Sequence, residues 1–178
     1  MDKRSWTLAA ALLFLAGCAS APARPPVALE SSVDLGRLMG DWYVIAAIPT
    51  VFERGAHNPK ETYRLDPDGS VATSFAFNAG AFDGPRRTFQ SRGFVVPGTG
   101  NAVWGQQYVW PFKADYRIAL VSPDYTQVVI AREKRDHVWI MARTPTIPEA
   151  DLDRLRGFVA AQGYDATRLQ RVPHDGGR

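Results

Sequence analysis

The amino-acid sequence predicts an all-β domain, a sandwich or an eight-stranded antiparallel up-and-down β-barrel, with one C-terminal α-helix packed on its outside. Three observations carry this expectation. Eight short runs rich in β-branched and aromatic residues recur between Gly40 and Thr144. Clusters of Gly, Pro, Asp and Asn separate them at short, fairly even intervals, as hairpin connections require. After Pro148 the apolar spacing changes to that of an amphipathic helix.

Taken in chain order, the first element is a targeting segment. "MDKR" is short and basic, and "WTLAAALLFLAGC" is an apolar run too short to span a bilayer. "LAGC", Leu15 to Cys18, resembles the lipobox of bacterial lipoproteins, in which cleavage before the cysteine is followed by acylation of its sulfur and its new amino group. An ordinary signal peptide, cleaved nearby to leave a free thiol, is the alternative. Residues 1–17 are thus read as a lipoprotein signal peptide and Cys18 as the lipid attachment site. Two or more acyl chains hold a protein stably on a membrane where one does not. By analogy with such lipoproteins, Ala19 directs the product to the outer membrane. Residues 18–32, "CASAPARPPVALESS", have no apolar period and read as an extended tether. The folded domain is placed at 33–172 and a flexible tail at 173–178.

The eight runs are "GDWYVIAAI", "ETYRL", "SVATSFAF", "TFQSRGFVV", "AVWGQQYVW", "YRIALV", "TQVVIA" and "HVWIMART". The turns between them include "DPDG", "PGTGN", "KAD", "SPD" and "EKRDH", and loops at 51–58 and 78–85 are expected to form a mouth. In the last segment Leu152, Leu155, Phe158 and Val159 share one helical face, with Pro148 before it and Gly163 after it. "TRLQRV" reads as a final short strand.

Composition narrows the function. The net charge of +3 is spread along the chain without a Lys/Arg tract, which argues against nucleic-acid binding. The single cysteine excludes an intramolecular disulfide and a cysteine nucleophile within the domain. His57, His137 and His174 are far apart and read as surface residues. No nucleophile elbow, phosphate loop or metal pattern occurs, and "GTGN" is a hairpin turn with no helix after it. The carboxylates are assigned mostly to turns. No catalytic residue, metal or cofactor is expected, and a binding protein is favoured over an enzyme.

The aromatic residues point to a ligand. Phe75 and Phe77 share one strand parity, as do Trp104, Gln106, Tyr108 and Trp110, then Tyr116 and Ile118, then Trp139, Met141 and Arg143. Side chains of one parity face one side of a strand. Solid core and pocket lining are both open for any one of them. Candidate lining residues are Phe75, Phe77, Trp104, Gln106, Tyr108, Tyr116, Ile118, Trp139 and Met141.

"GDWYVIAAIP" resembles the Gly-x-Trp motif of the lipocalin family, Gly40 and Trp42. "SPDYTQVVIA", with Asp124 and Tyr125, resembles its second motif, and "HVWIMARTPTI", with Arg143, its third. "FERG", "WPFKADY" and "WIMARTP" are similar to its bacterial outer-membrane, apolipoprotein D-like branch. The resemblance implies a calyx of eight strands closed at one end, where Trp42 and Arg143 meet as structural residues. It also implies a fatty acid or lysophospholipid ligand, no catalysis, and lipid anchoring at the periplasmic face of the outer membrane. Arg117, His137 and "AREKRD" depart from the family pattern, and monomer and homodimer both stay open. A porphyrin binder keeps the fold. A lipocalin-fold enzyme needs polar groups converging deep in the calyx, and the sequence reading finds none.

Overall fold

The computed structural model describes residues 24–176. Eight antiparallel strands form a closed barrel: β1 (Gly40–Ile48), β2 (Ala56–Leu65), β3 (Val71–Ala79), β4 (Arg86–Val95), β5 (Val103–Val109), β6 (Phe112–Val121), β7 (Gln127–Ala131) and β8 (Val138–Ala142). Each pairs with the next, β8 pairs back onto β1, and β1 pairs with β2 to close the ring. A four-residue helix α1 (Leu35–Leu38) precedes β1. Helix α2 (Glu149–Ala161), a short 3₁₀ turn and strand β9 (Gln170–Arg171) follow β8. The sandwich alternative is thereby settled in favour of the barrel.

Two cores result. Outside the barrel, Leu152, Leu155 and Val159 of α2 pack on Ile45, Ile48, Val129, Val138 and Ile140. Each such side chain contributes about 2 kcal/mol through burial. Inside, Trp42, Val44, Ala47, Tyr63, Trp104, Tyr116, Ile118, Val128, Ile130 and Met141 form the second core. Strand β1 serves both cores because its register shifts between Val44 and Ala46. The extra residue reverses the alternation, so Ala47 points inward although Ile45 points outward.

Several expectations are corrected. Strand β2 starts at Ala56, so His57 and Asn58 lie in a strand and not in the mouth loop, and Asn78 and Ala79 end β3. "KAD" is not a turn. The β5–β6 hairpin reverses at Trp110–Pro111, and Lys113 to Asp115 lie within β6. Proline lacks the N–H that a ladder needs, so the corner falls at Pro111. Within the segment read as tether, Val27 is buried in the outer core, the Glu30 amide donates to Ile118 O, and Glu30 Oε2 accepts from the Val121 amide. The tail is tied down as well. The Val172 amide donates to Ile45 O, Pro173 O accepts from Asn58, and His174 Nε2 lies 2.8 Å from Val44 O. Strands β1 and β2 pair only over Gly40–Tyr43, and this tail fills the gap where they diverge. Burial of the His174 ring, read as a surface histidine, lowers its pKa.

The β7–β8 turn carries no glycine. Arg135 takes the left-handed conformation, φ 55°, that glycine favours. Its guanidinium bonds to Gln162 O, Glu133 O and Pro25 O, tying the turn to the end of α2 and to the N-terminal segment.

Candidate ligand-binding site

The barrel is plugged at the end that carries α1. The Trp42 ring is fully buried, and its Nε1 donates to Leu38 O at 2.8 Å. The Arg143 guanidinium lies 3.8 Å over that ring and donates to Asp41 O, Arg37 O and Tyr125 O. Gly40 has φ +94°, a backbone conformation that favours glycine, and it lies beside the Arg143 guanidinium. Asp124 accepts from Ser122 Oγ and from the amide and hydroxyl of Thr126, bonds that hold its carboxyl below the usual range. The turn so made presents Tyr125, φ 59°, whose hydroxyl accepts from the Asp34 amide and whose ring lies under Arg37.

Above the plug the lower calyx is filled. Trp104 stacks on Tyr116, meets Tyr63 edge-on, and Tyr116 stacks on Trp139. Gly93 makes room for this packing, because a Cβ there would stand 2.9 Å from both the Trp104 ring and Gln106 Oε1.

A polar layer lies over these rings. Glu61 of β2 is 7% exposed and faces inward, opposite Trp42 on β1 and Phe75 on β3. Its Oε2 accepts from Tyr116 Oη, which also bonds Tyr63 Oη. Desolvation raises the Glu61 carboxyl to about 7, against the tyrosine hydrogen bonds and with the help of Glu53. Gln106 is 1% exposed. Its Nε2 donates to Ser91 Oγ at 2.7 Å, and its Oε1 is buried without a partner. Tyr108 borders the same layer and is 56% exposed toward the open end of the barrel.

Toward the mouth, Phe75, Phe77 and Phe89 form an aromatic wall on β3 and β4, and Phe52 from the β1–β2 loop packs on Phe89. A pocket of about 130 Å³ opens between this wall and the β1–β2 seam, lined by Val44, Ala47, Glu53, Phe75, Trp139 and the tail at Val172. Glu53 Oε2 accepts from the Thr50 amide and from Trp139 Nε1. Burial raises the Glu53 carboxyl. Around the opening Val51, Phe52, Val109, Trp110 and Phe112 project into solvent. The architecture is a barrel closed at one end, with a mouth that is aromatic within and apolar on its rim.

Residues 33–174 match the lipocalin-like domain. The chain belongs to the lipocalin family. It is 26% identical over 170 residues to the outer membrane lipoprotein Blc of Escherichia coli (strain K12), covering 94% of this chain and 95% of that one. It is 23% identical over 154 residues to bovine apolipoprotein D, covering 82% and 78%. Lobster apocrustacyanin A1 superposes with a TM-score of 0.62 at 13% identity, over 86% of this chain and 93% of that structure, a likeness of fold.

In this lipocalin Phe75, Phe77, Trp104, Gln106, Tyr116, Ile118, Trp139 and Met141 all face the barrel interior. Trp104, Tyr116, Ile118 and Met141 are packed in the lower core, whereas Phe75, Trp139 and Tyr108 border open space. Trp110 does not follow the parity of its strand. The β5–β6 register shifts beyond Gln106, and Trp110 stands on the rim, 81% exposed. Cys18 lies outside the described residues. Glu61, Tyr63, Glu53 and Phe89 were missed by sequence reasoning, and so was the convergence of polar groups inside the calyx. One signal existed. Glu61 and Tyr63 alternate in "ETYRL", which places a carboxylate in phase with an inward aromatic. Among the described residues no group of His, Cys, Asp and Glu could hold a metal ion.

Proposed function

We propose that this lipocalin binds an amphipathic lipid, a fatty acid or lysophospholipid, in its upper calyx and exchanges it with a membrane to which acyl chains on Cys18 anchor it. The observation that carries this reading is the aromatic mouth opening directly on an apolar rim. Trp110, Phe112 and Phe52 are the most exposed large apolar side chains on that rim. Such a collar of aromatic side chains suits a bilayer interface, and lipid chains entering it leave water at about 25 cal/mol per Å². Exposed Arg54, Arg86, Arg87, Lys113 and Lys134 stand near it and complement an anionic lipid surface. Relatives named outer membrane lipoprotein support placement at the outer membrane, and attachment at its periplasmic face belongs to the same proposal.

Titration with lysophosphatidylcholine below its micelle concentration is expected to quench tryptophan fluorescence through Trp139 on the pocket wall. A Kd near ~1 μM corresponds to about −8 kcal/mol. Unchanged fluorescence at all concentrations, or a tetrapyrrole co-purifying with the protein, overturns the reading. For the anchor, Cys18→Ser is expected to move the protein from the membrane fraction to the soluble periplasmic fraction. Persistence of the variant in membranes contradicts acylation at Cys18.

A further inference from the structure

The polar layer of the calyx is chemically one-sided. Glu61 is nearly buried, forms no ion pair among the described residues, and is bonded only by tyrosine hydroxyls. Glu53 stands on the pocket wall, and its charge adds to the desolvation that disfavours ionisation of Glu61. Gln106 adds a buried carbonyl oxygen without a donor, held over the inner face of Gly93. The other ionisable groups facing this layer are Tyr63, Tyr116 and Tyr108. Two cationic side chains lie at its margin. Arg132 acts on Tyr108; its Nη1 is paired with Asp136 at 3.2 Å while its Nε is buried without a hydrogen-bond partner, and His137 acts on Glu53 with its Nδ1 3.3 Å from Ile48 O. A buried carboxylate without a cation is costly, and a ligand that supplies the cation removes that cost. A ligand carboxylate in the same place adds a third negative charge.

We propose that the calyx selects amphiphiles bearing a primary ammonium, which seats against Glu61 beside the pocket wall that carries Glu53, while the apolar body runs past Phe75 and Trp139 to the rim. This rests on the lipid-binding reading and deepens it, favouring amine-bearing lipids over free fatty acids. The filled lower calyx supports the orientation. Trp104, Tyr63 and Tyr116 occupy the space that a deeply inserted chain would need, while the open part of the barrel is aromatic. Aromatic faces beside the cation add a favourable quadrupole.

The test is calorimetry and tryptophan quenching on the delipidated protein at pH 8 with decylamine and with decanoate, which share one chain and differ in charge. Decylamine is expected to bind at least ten-fold more tightly. Glu61→Gln is expected to lose at least ten-fold in decylamine affinity and so to abolish the preference over decanoate. At pH 7 decylamine binding is expected to release protons to the buffer, because the ammonium stabilises the ionised Glu61. Decanoate binding as tightly as decylamine, or a folded Glu61→Gln protein with unaltered decylamine affinity, overturns the inference and leaves lipid binding standing. Failure of both amphiphiles to bind overturns both. The comparison on the unaltered protein decides the matter even where the variant does not fold.

Discussion

Trp42→Ala is expected to destabilise the domain by about 3–5 kcal/mol, the range for deleting a buried tryptophan. Trp42 is fully buried at the plugged end and is held by its bond to Leu38 O. Its loss leaves a cavity bounded by rigid backbone, since α1, the start of β1 and the end of β8 all converge there. It also leaves the Arg143 guanidinium without its aromatic face. Arg143→Ala is expected to cost about 2–4 kcal/mol, because three backbone carbonyls lose a charged donor. The two changes share one contact, so their costs are not additive. A double-mutant cycle in urea is expected to show about 1–2 kcal/mol of coupling. Additivity within a few tenths of a kcal/mol contradicts the stacking account.

Glu61→Gln is expected to stabilise the protein at pH 8 and to flatten its pH dependence. The folded carboxyl titrates at about 7, against a reference of 4.5 for a solvated glutamate. The folded state therefore holds this proton more tightly than the unfolded state. Its contribution is fully present below the unfolded pKa and is lost as pH rises through the folded one. Between pH 4.5 and 8 the loss amounts to about 3 kcal/mol, from roughly 1.4 kcal/mol per pH unit of difference. Urea unfolding at pH 5 and pH 8 checks this. Between these two pH values the wild type should lose about 2.5 kcal/mol and the glutamine variant should not, because its amide keeps the shape and stays neutral. Equal pH slopes for the two proteins exclude the buried carboxyl as the cause.

Much of the fold was legible before any coordinates. The alternation in "SVATSFAF" and "HVWIMART", the turns in "DPDG" and "PGTGN", and the helical face of Leu152, Leu155 and Val159 all appear where local spacing places them. The errors have local causes. The β5–β6 corner was misplaced because "KAD" is polar like a turn, whereas Pro111, which cannot donate to a ladder, sets it. Trp110 was assigned inward because a register shift is invisible to strict two-residue parity. The C-terminal tail at 173–178 was read as flexible, yet the divergence of β1 and β2 leaves backbone groups that Pro173 and His174 meet. Glu61 was overlooked because a glutamate in a strand ordinarily faces water.

The sequence by itself determined the strands, the outer helix, the family motifs and the absence of cysteine chemistry in the domain, because each depends on residue spacing over a few positions. Only the tertiary structure decided how deep the calyx is and what charge it presents. Filling of the lower barrel depends on Trp104, Tyr63 and Tyr116 meeting from three strands. The acidity of its middle layer depends on Glu61 and Glu53 being brought together, neither in an ion pair among the described residues. Cavity volume and buried charge are sums over residues distant in the chain, and they acquire values only when the barrel closes and excludes water.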